Sequence, residues 1–153
     1  MANLRNPRSA LAHLGEMRDC GGPAITRGLT DDVVLDFLKD RADLATAIDR
    51  GYAAFLSLKE SHADFLALEE SEQIRRSQEG LKNFYATDGV NPYVAVAAAG
   101  PWIVTLKGAV VYDCGGYGML GFGHAPQFVL DAMNQPQVMA NISTDMMSLR
   151  LAL

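Results

Sequence analysis

A glycine-rich run constrains this chain more than any other feature. Five glycines fall between Gly115 and Gly123, directly after the strand-like residues 109–112. Glycine adopts backbone conformations that other residues avoid, so the run predicts a loop rather than a helix or a strand. Pro126 then suits the start of a helix, because its missing N–H would be unpaired there anyway. The order of parts is therefore a strand, a glycine-rich loop and a helix over residues 126–134.

The run also contains the spacing Gly-x-Gly-x-x-Gly, at Gly116, Gly118 and Gly121. In a dinucleotide-binding fingerprint the helix opens inside this motif, so that its N–H groups meet the pyrophosphate. Here the helix begins only after the motif, and the acidic residue expected about 20 positions further on is available only as Asp145. A nucleotide-binding loop is therefore an alternative interpretation, and so is a loop that merely joins packed elements.

Helices are predicted in the first half of the chain. Thr30 and the two aspartates after it predict a helix start, because a hydroxyl caps free N–H groups and acids suit the positive helix end. Apolar residues at three- and four-residue spacing predict one or two amphipathic helices over residues 31–58. A capping-box-like start at residues 61–64 predicts a further helix that ends near Tyr85. Its solvated face is expected to carry the charged residues Glu69, Glu70, Glu72, Arg75 and Arg76. Residues 1–29 are predicted to be irregular.

The second half of the chain begins with a predicted hairpin. Residues 102–106 and 109–112 are rich in strand-forming side chains and predict two strands. The dipeptide Lys107-Gly108 predicts a tight turn between them. A lysine at the tip of such a turn is expected to be solvated.

The chain is predicted to be α+β and to divide where turn-forming residues cluster before residue 92. Residues 1–88 would form an N-terminal helical extension, and residues 89–153 would begin a second unit. Residues 148–153 keep helical periodicity without a stop signal, which predicts that the chain is part of a longer protein.

Composition excludes several classes of function. The 153 residues carry a net charge of −5, so a nucleic-acid partner is not expected. The two cysteines form no Cys-x-x-Cys pair, so neither a disulfide framework nor a zinc cluster is indicated. No secretory signal is visible, and the longest apolar stretch, residues 93–106, is too short and too interrupted to span a bilayer. We expect a cytoplasmic protein without a membrane partner.

The order of parts resembles the N-terminal region of class III aminotransferases, which are pyridoxal-phosphate enzymes of fold type I. The resemblance rests on residues 102–106, Lys107-Gly108, Tyr112-Asp113, residues 115–118, residues 121–124 and Pro126. It covers roughly residues 90–153. The helices before it look like the N-terminal extension of some diamine and amino-acid members. Phe122 departs from the simpler Leu-Gly-His spacing of the family.

The resemblance implies a function for the full-length protein. Such an enzyme would move an amino group between an amine or amino-acid donor and a 2-oxo acid, with pyridoxal 5'-phosphate as cofactor, and would be a homodimer with an α/β fold. The glycine-rich loop would line the substrate side of the active site. The implied substrate-binding residues are Tyr117, Gly118 and Met119; the alternative for Tyr117 is that it packs in the core.

The resemblance also implies what this chain lacks. The phosphate loop, the stacking aromatic, the aspartate on the pyridine nitrogen and the Schiff-base lysine of the family would all lie further along the protein. None of Lys39, Lys59, Lys82 and Lys107 matches the Schiff-base position. We therefore expect no catalytic or cofactor-binding residue here and no activity from this segment alone. His124 is expected to be structural, and Asp113 is expected to end a strand and bond loop backbone.

A second hypothesis is a non-enzymatic helical interaction domain, whose helices at residues 31–85 would bind a partner through an exposed apolar groove. Under the aminotransferase hypothesis, the isolated chain is expected to self-associate because it would expose apolar surface. The residues expected to be exposed are Trp102, Ile103, Val129, Met146, Met147, Leu149 and Leu151.

Overall fold

The computed structural model describes residues 7–80, 92–115 and 121–134. Its elements are α1 (Pro7–Arg18), α2 (Asp31–Phe37), α3 (Ala42–Ser61), α4 (Ala63–Leu66), α5 (Glu70–Ser77), β1 (Ala95–Ala99), β2 (Trp102–Thr105), β3 (Val110–Tyr112) and α6 (Gln127–Met133). The strands form one antiparallel sheet in the order β1-β2-β3. This arrangement confirms the α+β class. No helix in the described ranges is both long and apolar enough to cross a membrane.

The predicted hairpin is present as β2 and β3. Val104 pairs with Val110 across it, and Trp102 pairs with Tyr112. The Thr105 N–H donates to the Ala109 carbonyl at 2.9 Å and closes the turn. Every residue of β2 is buried, so this strand lies at the centre of the fold.

Helix α3 lies across β1 and β2 and forms the core with them. A Cβ added at Gly51 would lie 2.9 Å from Cγ1 of Val104 and 3.7 Å from Cβ of Ala97, so the helix approaches the sheet closely at a glycine. The largest fully buried apolar side chains are Trp102, Phe55, Leu14, Met17, Leu44, Ile48, Leu106, Val34, Val104 and Val110. Burying each such side chain contributes about 1.5–3 kcal/mol. Helices α1 to α4 and the sheet therefore share one hydrophobic core, while the predicted boundary at residue 88 lies outside the described residues.

Helix α1 corrects the prediction that residues 1–29 are irregular. Pro7 occupies its first position, which needs no N–H donor. Ala10, Leu14 and Met17 recur at helical spacing and are buried against the core. The helical spacing of these apolar residues was therefore present in the sequence, but it is packing against α3 that buries them.

The helix predicted from residue 61 onward is also different in the structure. It is divided into α4 and α5, and the residues beyond 80 lie outside the described part until 92. The capping box is absent, because the Ser61 hydroxyl donates to the Ser57 carbonyl within α3 instead. His62 is the N-cap of α4 and makes no side-chain capping bond.

Strand β1 was not predicted. Its sequence, Ala-Val-Ala-Ala-Ala, has low intrinsic strand propensity. It is a strand because β2 supplies a paired edge, with Ala99 opposite Trp102, and because small side chains allow α3 to lie close above it. Tertiary context therefore overrides propensity here.

The predicted exposure of Trp102 and Ile103 is wrong, because both are buried within the chain. The Trp102 ring packs against Phe37 and Tyr112, with centroid distances of 4.9 and 5.1 Å. Val129 is half-buried, and residues 135–153 lie outside the described part. The large apolar side chains exposed near the end of the described chain are Phe122, Phe128, Leu130 and Met133.

Candidate functional site

The two ends of the glycine-rich loop meet through a pair of side chains. Asp113 directly follows β3, and His124 precedes α6 by three residues. The Nε2 atom of His124 lies 2.9 Å from Oδ2 of Asp113, and the two side chains are 23% and 22% exposed. The pair therefore ties the start of the loop to its end.

The backbone reinforces this closure. His124 and Gly100 exchange two hydrogen bonds, of 2.7 and 3.1 Å. Gly123 has φ of 73°, and a Cβ there would lie 2.7 Å from the Gly100 Cα. Gly100 also has positive φ, and a Cβ on it would clash with the carboxylate of Asp43. Two chain segments cross here, and a side chain at either position would clash. Both positions therefore require glycine.

Asp113 is held as a carboxylate by its neighbours. Its Oδ1 accepts from the Gly115 N–H at 3.0 Å, and its own N–H donates to the Pro101 carbonyl at 2.7 Å. The Gly115 N–H, and next the bond to His124, lower the pKa of Asp113 below its ordinary value. The prediction that Asp113 ends a strand and bonds loop backbone is confirmed.

The pairing of Asp113 with His124 was missed by sequence reasoning. The available signal was that both residues border the same loop, one after a strand and one before a helix. Loop ends that lie close in space allow a side-chain bond across them. The implied substrate-binding residues Tyr117, Gly118 and Met119 lie between these anchors but outside the described residues, so their role stays a prediction.

Lys107 corrects the expectation of a solvated hairpin tip, because only 3% of it is exposed. Its Nζ lies within hydrogen-bond distance of the carbonyl oxygens of Leu68 at 2.7 Å, Gly22 at 3.0 Å, Cys20 at 3.2 Å and Leu66 at 3.4 Å, which share its three N–H donors. The tip of the hairpin therefore turns inward, toward the connection after α1 and the junction between α4 and α5. Burial lowers the pKa of the Lys107 ammonium, whereas nearby negative charge acts in the opposite direction.

Glu70 was expected on a solvated helix face, and that prediction is wrong. It is 1% exposed, and its Oε2 accepts from the N–H groups of Ile25 at 2.6 Å and Thr26 at 2.7 Å. Glu70 is the first residue of α5, where the positive helix end favours a carboxylate. Lys107 and Glu70 therefore both bind backbone groups of the same connection, residues 19–30.

The described lysines do not fit a covalent cofactor. Attack on a carbonyl carbon needs a free amine with access to the aldehyde. Lys107 is enclosed and its protons point at carbonyl oxygens, whereas Lys39 and Lys59 are exposed and paired with Asp36 and Glu16. Within the described ranges, no group of three or more His, Cys, Asp or Glu side chains could hold a metal ion.

Comparisons with known proteins do not place the chain in a family. No protein-family model, no curated protein and no solved structure matches it. The aminotransferase resemblance therefore rests on the residues of the hairpin, the glycine-rich loop and the start of α6.

Proposed function

We propose that this chain is the N-terminal portion of a class III aminotransferase, which moves an amino group between an amine or amino-acid donor and a 2-oxo acid. The observation that carries the proposal is the order hairpin, Asp113, glycine-rich loop, His124, helix. The 2.9 Å contact between Asp113 and His124 supports it, because a loop closed at both ends can present its middle at one place.

In this proposal the chain supplies the shape of the substrate site. The closed loop holds Tyr117 with Gly118 and Met119 beside the donor, and the tyrosine offers a flat apolar face and one hydroxyl. The anchors at Asp113 and His124 limit how far the loop moves, which restricts the size of the donor.

The cofactor, pyridoxal 5'-phosphate, supplies an electron sink for the carbanion of the donor when it is bound. None of the described lysines is expected to form the Schiff base, since Lys107 is enclosed and the exposed Lys39 and Lys59 are paired with Asp36 and Glu16. The resemblance assigns the phosphate loop and the Schiff-base lysine to another part of the protein. No chemical step is therefore assigned to this segment.

The test is amino transfer by the protein expressed from its complete gene. The purified protein is supplied with pyridoxal phosphate, a panel of amines and amino acids, and a 2-oxo acid, and the new amino acid is measured by mass spectrometry. We expect transfer from at least one donor, and none with residues 1–153 alone as the matched control. A cofactor-loaded full-length protein that transfers no amino group from any donor would contradict the proposal.

One specific observation bears on the alternative of a helical interaction domain. The large apolar residues Leu44, Ile48 and Phe55 of α3 are buried in the core rather than arranged as an exposed groove. Apolar exposure is found instead at α6, which has no buried residue and displays Phe128 and Met133. We propose that α6 contacts another part of the homodimeric enzyme; binding of α6 to an unrelated protein is the competing reading.

A further inference from the structure

We propose that the carbonyl oxygens of Cys20, Gly22, Leu66 and Leu68 form a monovalent-cation site, which the Lys107 ammonium occupies and free ammonium will occupy when that side chain is shortened. The four oxygens lie 2.7–3.4 Å from Nζ. The distances to Leu68, Gly22 and Cys20 are usual for an ammonium donor, and the distance to Leu66 is longer. The site belongs to the backbone, and the lysine is its tethered ligand.

The oxygens come from segments far from Lys107 in the chain. Leu68 lies 39 residues before it and Cys20 lies 87 residues before it. Carbonyl oxygens that converge in a buried space repel one another and lose their hydration, so they require a donor or a cation among them. Rings of backbone carbonyls are known to replace the hydration shell of a monovalent ion.

The carbonyls are also held by bonds that do not involve Lys107. The Gly22 N–H donates to the Ala67 carbonyl at 3.0 Å, and the Glu70 N–H donates to the Pro23 carbonyl at 3.0 Å. The carboxylate of Glu70 further binds the N–H groups of Ile25 and Thr26. These bonds join the two carbonyl-bearing segments, so we expect the oxygens to keep their places after the side chain is removed.

The charge around the site favours a cation. Burial lowers the pKa of Lys107, while the electrostatic effects of Cys20 and then of the buried Glu70 act in the opposite direction. Arg18, whose side chain lies against the neighbouring Gly108, is engaged with the Gly108 carbonyl at 3.0 Å and with Asp31 at 2.7 Å. Glu70 keeps its bonds to the Ile25 and Thr26 N–H groups when the lysine charge is removed, and we expect a free cation to replace the charge that Lys107 supplied.

The test compares two variants of the 153-residue chain. Lys107→Ala vacates the site, whereas Lys107→Met removes the charge but keeps the space filled. Thermal unfolding is measured in ammonium chloride and in tetramethylammonium chloride, an ion too large for the site, at equal ionic strength. We expect ammonium to raise the Tm of Lys107→Ala saturably by about 2–4 °C. We expect no such difference for Lys107→Met, the native chain or the exposed-site control Lys59→Ala.

The same Tm for Lys107→Ala in both salts would overturn the proposal, and so would an equal ammonium response from Lys107→Met. If Lys107→Ala does not fold in tetramethylammonium chloride, recovery of its circular dichroism in ammonium chloride supports the site, and failure in both salts overturns it. A second measurement uses the native chain labelled with ¹⁵N-lysine. We expect one slowly exchanging ammonium signal, lost in Lys107→Arg; the absence of that signal would also overturn the proposal.

Discussion

Asp113 and His124 lie eleven residues apart in the chain and 2.9 Å apart in space, between Oδ2 and Nε2. This contact joins the described residues at the two ends of the glycine-rich loop. Two backbone hydrogen bonds between His124 and Gly100 hold the same region. The two ends of the loop are thus held together by side-chain and main-chain bonds.

The first prediction concerns the charge of Asp113. Asp113→Asn keeps an oxygen for the Gly115 N–H but removes the carboxylate, so we expect a loss of about 1 kcal/mol at neutral pH, since the pair is partly solvated. Because the pKa of Asp113 is lowered in the folded state, this contribution is complete above its unfolded value of about 3.9 and is lost as the pH falls through the folded value. Urea unfolding of both proteins between about pH 2.5 and pH 7 measures it. A difference that stays constant across that range would show that the carboxylate charge is not responsible.

The second prediction compares the effects of alanine substitution at two glycines, Gly123 and Gly15. Gly123→Ala places a Cβ against Gly100 at positive φ, so we expect a loss of at least about 1–2 kcal/mol. Gly15→Ala lies within α1 with nothing inside 4 Å of the added Cβ, so we expect a gain of about 0.5–1 kcal/mol. Chemical denaturation reports both values. Equal effects of the two substitutions would contradict the crossing of Gly123 and Gly100.

The third prediction concerns covalent labelling by pyridoxal phosphate. Lys107 is enclosed by four carbonyls, so it should be the least reactive described lysine after borohydride reduction. Lys39 and Lys59 are exposed and should show scattered, substoichiometric labelling. Peptide mapping by mass spectrometry gives the occupancy of each site. A stoichiometric adduct at Lys107 would contradict the burial of this lysine. It would also contradict the prediction that no lysine of this chain forms the Schiff base.

The fourth prediction concerns self-association through α6. Phe122 and Phe128 are 71% and 60% exposed and pack edge to face, with centroids 5.0 Å apart. We expect the isolated chain to associate and the double variant Phe122→Ser with Phe128→Ser to be more monomeric, because the exposed apolar patch is reduced. Sedimentation velocity over a concentration series measures this, with Leu56→Ser on α3 as the control. Equal association of both variants would place the contact elsewhere.

The fifth prediction concerns Tyr117 in the full-length protein. If it contacts substrate, Tyr117→Ala should lower kcat/KM for bulky donors by an amount that corresponds to about 1–3 kcal/mol of transition-state binding. The kcat/KM for small donors should change less. If it is a core residue, the variant should instead lose stability with an unchanged donor profile. Measuring Tm and donor profile on one preparation distinguishes the two roles.

The sequence by itself determined the elements whose signals are local. The hairpin was predictable because strand-forming residues flank Lys107-Gly108, and α2, α3 and α6 were predictable from the spacing of apolar residues. Thr30 is the N-cap of α2 as predicted, but its side chain makes no capping bond. The end of β3 just before Asp113 followed from the same pattern. In each case the physical cause lies within a few residues of the element.

Tertiary structure alone decided the roles of Lys107 and Glu70. Both are charged and stand in segments that predict exposure, yet both are buried. Their partners are backbone groups 39 to 87 residues away for Lys107, and 44 and 45 residues away for Glu70. A charge is buried only where such partners converge, and local spacing does not reveal that convergence. The same reason makes the alanine-rich β1 a strand, because the edge of β2 and the face of α3 determine its conformation.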